Sequence, residues 1–202
     1  MCFIIKIIEH PDKHEADIST QNGDFRVTSA DLSTMNIAEG ENADDDQTEK
    51  IAFCDQKLKC LKKSFTYLSY GDLSFKKLKE KLRKNFEKEV IETVAAILTE
   101  KGYVNDDEIA QRYAESFLNS KLFGASRIKN ELYKRGFSTE SINNALDEID
   151  SDIYERNIFE IIDKKFGTVL DGDVSQKAKI TAYLRRMGYS YGEVSNAIYK
   201  LT

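Results

Sequence analysis

Two stretches of this 202-residue chain superpose at an offset of 52. Leu132-Tyr133-Lys134-Arg135-Gly136-Phe137-Ser138 falls on Leu184-Arg185-Arg186-Met187-Gly188-Tyr189-Ser190, with Ile128 on Ile180, Ile142 on Val194, Ala145 on Ala197 and Leu146 on Ile198. Apolar matches apolar throughout, so the copies bury the same faces. An earlier copy, Leu82-Arg83-Lys84-Asn85-Phe86, aligns at an offset of 50 up to Leu82 and 51 from Phe86, and lacks the glycine. Each copy reads as helix, turn, helix. Gly136 and Gly188 suit the left-handed position after a helix end, the aromatic beside each closes the corner, and Ser138 and Ser190 cap the next helix. Ser190-x-x-Glu193 has the spacing of a capping box.

A further amphipathic helix precedes each of the last two pairs. Asp106 to Leu122 turns Ile109, Tyr113, Ala114, Phe117 and Leu118 inward, and Ile153 to Phe166 turns Ile158, Ile161 and Ile162. Asn105-x-x-Glu108 marks the start of the first. These helices match at an offset of 44, so the loop from Gly167 to Ser175 is 8 residues longer in the last copy. The expected fold is mainly α: three tandem three-helix repeats at 56–104, 105–150 and 151–202, after a small N-terminal segment, 1–55, that contains a β-hairpin. A period of roughly 50 residues belongs to helical arrays, whose extended surfaces suit a long partner better than a small substrate.

The first 28 residues read as strands. Ile4, Ile5, Ile7 and Ile8 open a β-rich run, and Ala16–Thr20 joins Phe25–Thr28 through Gln21-Asn22-Gly23-Asp24, where Asn-Gly favours a type I′ turn. A short helix from Ala30 to Met35, capped by Thr28 or Ser29, precedes an acidic stretch, Glu39 to Asp46, that reads as a linker. That stretch lacks the ligand alternation and central glycine of a calcium-binding EF-hand loop.

The net charge of −5 is unevenly spread. Residues 1–55 carry 13 acidic and 4 basic side chains, whereas 56–88 carry 11 Lys or Arg against 3 acids. Such asymmetry predicts separate jobs, with a positive surface able to attract nucleic acid or an acidic protein. No apolar run approaches the roughly 20 residues of a membrane span, and no signal peptide is evident. Three cysteines, Cys2, Cys54 and Cys60, form no paired spacing, so a reducing cytoplasm is the expected compartment.

No catalytic constellation emerges, and the chain is read as a non-enzyme that needs no cofactor. His10 and His14 flank Pro11 in a strand-and-turn context and do not share a helical face, and Cys54 and Cys60 lack a second pair, so no metal site is expected. Phosphate-binding glycine loops and nucleophile elbows are absent. The recurrent feature is basic. Lys76, Lys77, Arg83 and Lys84 lie on or near the second helix of the first copy, while Arg127, Lys134 and Arg135, then Lys179, Arg185 and Arg186, occupy related helices in the next two. Together they are the candidate residues for binding a partner or DNA, engaging phosphates or carboxylates at intervals. The competing reading is that lysine and arginine favour the C-terminal turn of any helix and that Arg135 and Arg186 merely complement the dipole. Tyr67, Phe86, Tyr103, Phe117 and Phe137 are assigned to the core.

These residues resemble the RecX family of bacterial RecA regulators. Tyr67-Leu68-Ser69-Tyr70 followed by Ser74, Leu78 and Leu82 is similar to the opening of the family's first unit. Gly102-Tyr103-Val104-Asn105-Asp106-Asp107 with Ala110 and Tyr113, then Gly124, Ile128, Leu132 and Lys134-Arg135-Gly136-Phe137, resembles its central stretch. The likeness covers 56–202 and extends more weakly to Asp24–Gly40. It departs in the missing first-copy glycine and in Tyr70-Gly71, where an arginine is common. The resemblance implies a non-enzymatic modulator that lies in the groove of the RecA filament on single-stranded DNA, bridges protomers, and suppresses strand exchange, ATPase and coprotease activities in DNA repair and the SOS response. A monomer is expected, with single-stranded DNA a further candidate partner. The alternatives are a direct DNA-binding helical regulator without RecA and a scaffold whose basic face is only solvated.

Overall fold

A computed structural model describes residues 2–167 and 173–201. The chain divides into two compact units, Met1–Asp72 with Leu78–Tyr103, and Leu73–Lys77 with Val104–Thr202.

In the first unit, β1 (Cys2–His10), β2 (Glu15–Thr20), β3 (Gly23–Thr28) and β4 (Asn42–Ala43) form an antiparallel sheet in the order β3-β2-β1-β4. The hairpin between β2 and β3 is the expected one, but its turn is not. Thr20 pairs with Gly23, so the two loop residues are Gln21 and Asn22, and neither has a positive φ. Gly23, at φ 132°, opens β3 instead. Helix α1 (Ser29–Ser33) is capped by Thr28, whose hydroxyl accepts the Asp31 N–H.

The acidic stretch is not a linker. It forms β4 and then the start of α2 (Asp45–Leu68), where Asp44 accepts the Gln47 N–H (2.7 Å) and Gln47 Oε1 accepts the Asp44 N–H (2.9 Å). This reciprocal capping box places Asp44, Asp45 and Asp46 at the positive end of the helix dipole. The division expected at residue 55 therefore falls inside one continuous helix. The reason is burial: Ile51 and Cys54 from the first half of α2 close over Ile4, Ala16, Ile18 and Val27 of the sheet. Further along, Leu58 and Cys60 are buried, as are Leu78 and Leu82 of α3 (Phe75–Leu82) and Val90, Ile91, Val94 and Leu98 of α4 (Lys88–Glu100).

Charge is also cancelled inside this unit. Lys57 pairs with Asp31 (2.5 Å), Lys59 with Asp55 (2.6 Å) and Lys62 with Glu15 (2.7 Å). The acidic N-terminal residues and the lysines of α2 thus neutralise one another, and the separate roles expected from the charge asymmetry do not follow for these side chains. The solvent-exposed pair, Lys62–Glu15, contributes at most about 1 kcal/mol to stability, and together the three pairs lower the surface potential. The three thiols are free and buried. Burial pushes Cys60 up to about 11 and raises Cys54 as well, which leaves both protonated and unreactive at neutral pH.

The second unit holds α5 (Asp106–Lys121), α6 (Ala125–Arg135), α7 (Thr139–Asp147), α8 (Ser151–Phe166), α9 (Val174–Met187) and α10 (Tyr191–Leu201), together with the first turn of α3. The sequence-read caps are in place. Asn105 accepts the Glu108 N–H, Ser138 accepts the Ser141 N–H, and Ser190 and Glu193 exchange both bonds of a capping box. Gly136 and Gly188 are left-handed at φ 89° and 98°. Of the long loop expected from Gly167 to Ser175, residues 168–172 lie outside the described residues.

One core unites the helices. Ile109, Ala114, Leu118, Ile128, Leu132, Phe137, Ile142, Ile158, Ile180, Leu184 and Tyr189 belong to a single buried cluster. Two carbonyls left over at the end of α5 are satisfied from the last copy: Asn157 Nδ2 donates to Leu118 O (3.0 Å) and the Tyr189 hydroxyl to Leu122 O (2.8 Å). The hydroxyl of Tyr154, equally buried, has no hydrogen-bond partner among the described residues. Tyr189→Phe is accordingly expected to cost about 1–2 kcal/mol, and Tyr154→Phe to be neutral or stabilising. Urea unfolding of the two variants tests the contrast, and equal costs would refute it.

Candidate functional site

The exposed side of α6 is built by its own periodicity. Ile128 and Leu132 face the core, which leaves Arg127, Glu131, Lys134 and Arg135 along the other side. Glu131 is the one acid on that stripe. Its carboxylate pairs with Lys134 (2.9 Å), and Lys134 first, then Arg127 and Arg135, hold it below the usual carboxylate range.

Both ends of α6 meet other elements of the same unit. At the C-terminal end, Ser74 Oγ donates to Arg135 O (2.6 Å), and a Cβ on Gly136 would lie 2.9 Å from Ser74 Oγ and 3.4–3.5 Å from the stems of Lys77 and Lys76. At the N-terminal end, the Gly124 N–H donates to Met187 O (2.8 Å) and the Ser126 N–H to Gly188 O (3.1 Å). The two contacts are the same contact repeated, since Ser74 and Gly124 are related by the offset of 50 and Gly136 and Gly188 by that of 52. Each joins the start of one middle helix to the glycine turn after the next.

Around these contacts the ten basic candidates sort into groups. Lys76 and Lys77 flank the Gly136 turn beside Lys134 and Arg135. Arg127 Nη1 donates to Arg186 O (3.2 Å) while its guanidinium lies 4.1 Å from the Phe123 ring, and Arg185 Nη1 donates to Tyr189 O (2.8 Å). Arg127 and Arg185 therefore do the helix-terminal work of the competing reading. Arg186 lies 5.7 Å from the Tyr183 ring, and Lys179, seven residues before it on α9, is exposed. Arg83 and Lys84 are exposed in the turn after α3 and belong to the first unit.

A set of aromatic residues joins the cations in a way the sequence reading missed. The Arg135 guanidinium lies 4.7 Å from the Tyr113 ring and 5.3 Å from that of Phe117. Tyr113 and Phe117 stack at 6.0 Å, and Phe117 and Phe123 at 5.9 Å. Tyr113, Phe117 and Phe123 are half-buried, so each packs on the core and still reaches the surface. The four-residue spacing of Tyr113 and Phe117 was the available signal. Among residues assigned to the core, Tyr103 is exposed and rests edge-on against Phe65 at 4.9 Å. Among the described residues no cluster of three or more potential ligands could hold a metal, and no helix is long and apolar enough to cross a membrane. His10 instead pairs with Asp17 (2.9 Å).

No protein-family model matches the chain. Among curated proteins, the regulatory protein RecX of Clostridioides difficile (strain 630) is 31% identical over 169 residues, covering 83% of this chain and 80% of that protein. The chain belongs to the RecX family. RecX of Cronobacter sakazakii is 34% identical over 55% of the chain and 66% of its own length. The fold agrees with two crystal structures. One of regulatory protein RecX matches at a TM-score of 0.80 with 21% identity over 99% of this chain and all of that one. Another, of RecX from Lactobacillus salivarius, matches at 0.67 with 23% identity over 73% of this chain and 97% of its own. A mainly helical RecX fold with a small N-terminal antiparallel sheet is thus established, and the curated relatives are named as regulatory proteins.

Proposed function

We propose that this RecX-family chain is a non-enzymatic regulator of RecA. It binds RecA filaments on single-stranded DNA as a cytoplasmic monomer, uses no cofactor, and modulates their recombinase, ATPase and coprotease activities in DNA repair and the SOS response. Three tandem copies, 56–104, 105–150 and 151–202, would meet successive features of a long partner. Membership of the RecX family is the observation that carries this reading. The cations Arg127, Lys134 and Arg135 along α6, around the single acid Glu131, support it, because a locally positive surface accelerates encounter with an anionic partner.

Titration into preassembled RecA filaments on single-stranded DNA, followed by ATP hydrolysis, tests the proposal. Loss of hydrolysis at substoichiometric protein, with weak binding to DNA alone, is the expected result. Charge reversal at Lys134, Arg135, Arg185 and Arg186 together is expected to raise the half-effective concentration at least about tenfold. A thermal melt confirms that the variant is folded, which matters because Arg185 also caps α9. Unchanged hydrolysis together with tight, salt-sensitive binding to DNA alone would replace the proposal with the direct DNA binder.

A further inference from the structure

The cations of the α6 surface are chemically unequal. Lys134 is already matched by Glu131, and Arg127 and Arg185 each commit Nη1 to a backbone carbonyl. Arg135 differs. It is exposed, no acid pairs with it among the described residues, and its guanidinium is held over the Tyr113 and Phe117 rings. Its own carbonyl is fixed by Ser74, so the backbone beneath it is held as well. Its guanidinium makes no hydrogen bond or ion pair among the described residues, so its N–H donors are available for an oxyanion pair.

We propose that Arg135 is the principal grip on the partner, and that it takes a side-chain carboxylate of an acidic protein surface rather than a nucleic-acid phosphate. The inference rests on the RecA-regulator reading and names the chemistry of its contact. Two observations favour the carboxylate. Glu131 sits inside the cationic stripe of α6, which would repel a continuous run of phosphates but suits a protein surface of mixed charge. The unit that carries Arg135 has 16 Lys or Arg against 16 Asp or Glu, so it has no net charge with which to hold a polyanion. Arginines ordered by aromatic neighbours are also the residues on which protein interfaces concentrate their energy.

The test compares the full chain with Arg135→Lys, Arg135→Ala and Lys134→Ala, by fluorescence anisotropy, on RecA filaments and on bare single-stranded DNA. Arg135→Lys keeps the charge and loses the fork. It is expected to weaken filament binding at least about tenfold, nearly as much as Arg135→Ala, while Lys134→Ala weakens it by a smaller factor than either. Binding to bare DNA is expected to be the same for all four proteins. Filament binding by Arg135→Lys equal to that of the unsubstituted chain would overturn the inference and leave the RecA reading standing. A parallel loss on bare DNA would reassign Arg135 to a phosphate. Failure of the unsubstituted chain to bind filaments at all would overturn the RecA reading and this inference with it.

Discussion

Replacing Gly188 by alanine is expected to unfold much of the second unit. A Cβ there would lie 2.4 Å from Arg127 N and 2.5 Å from Arg127 Cβ, and the residue sits at φ +98°, where a side chain is strained in any case. The facing residue, Gly124, has the same problem, with its Cβ 2.4 Å from both Gly188 C and Tyr189 N. Two backbones touch at this point. Neither can retreat without breaking the bonds from Gly124 N–H to Met187 O and from Ser126 N–H to Gly188 O. Overpacking against backbone is costlier than against a mobile side chain, and a loss of at least about 3 kcal/mol is expected for either substitution. For a unit of this size that lowers the unfolding midpoint by more than about 10 °C. Gly136→Ala should cost less, since its nearest neighbour is the Ser74 hydroxyl at 2.9 Å. Gly192→Ala is the control: nothing lies within 4 Å, its φ is ordinary and it is inside α10, so a gain of up to about 1 kcal/mol is expected. Thermal melts of the four variants give the ranking. A Gly188→Ala protein as stable as the unsubstituted chain would show that the two turns do not pack as described.

Asp55→Ala is expected to loosen the first unit from its sheet edge inward. Asp55 is buried on α2, yet its Oδ1 accepts the Arg26 N–H (3.0 Å) from β3, the edge strand, and its Oδ2 accepts Lys59 (2.6 Å). Alanine leaves an amide unpaired between strand and helix and releases the lysine. The expected cost is about 2–3 kcal/mol, chiefly from the orphaned donor. It also uncovers a strand edge of the kind that recruits other chains, so aggregation on heating should increase. Asp55→Asn keeps an acceptor for Arg26 and should recover more than half of the loss. Amide exchange at Arg26 reads the effect locally. If Arg26 stays as protected in Asp55→Ala as in the unsubstituted chain, the edge is held by something other than Asp55.

The same glycine contacts account for a departure noted in the sequence. The turn after α3, Arg83 to Phe86, has no glycine. In the later copies the glycine is required because each turn meets the start of the preceding middle helix, at Ser74 for Gly136 and at Gly124 for Gly188. Residues 1–55 hold no earlier counterpart of Ser74 or Gly124 for the turn after α3 to meet.

What could be read from the chain alone was what depends on neighbours three or four residues away. Asn105, Ser138 and the Ser190–Glu193 box cap their helices through bonds to the N3 backbone, and Gly136 and Gly188 end theirs through a left-handed residue, so each signature is complete within one turn. The 52-residue offset, the apolar faces and the Lys134-Arg135-Gly136-Phe137 stretch belong to the same local grammar, and they sufficed for the helical fold and the RecX family. Tertiary structure decided whatever joins distant residues. Helix α2 starts within the acidic stretch because Ile51 and Cys54 find the sheet, and the hairpin turn is set by the pairing of Thr20 with Gly23. The lysines at 57 and 62 are neutralised by Asp31 and Glu15, 26 and 47 residues away, so a charge count along the chain could not give the surface potential. Arg135 likewise stands apart from Lys134 only once Tyr113 and Phe117 on α5 come under its guanidinium and Glu131 turns to its neighbour. Coulombic and stacking energies depend on distance in space, which separation along the chain does not supply.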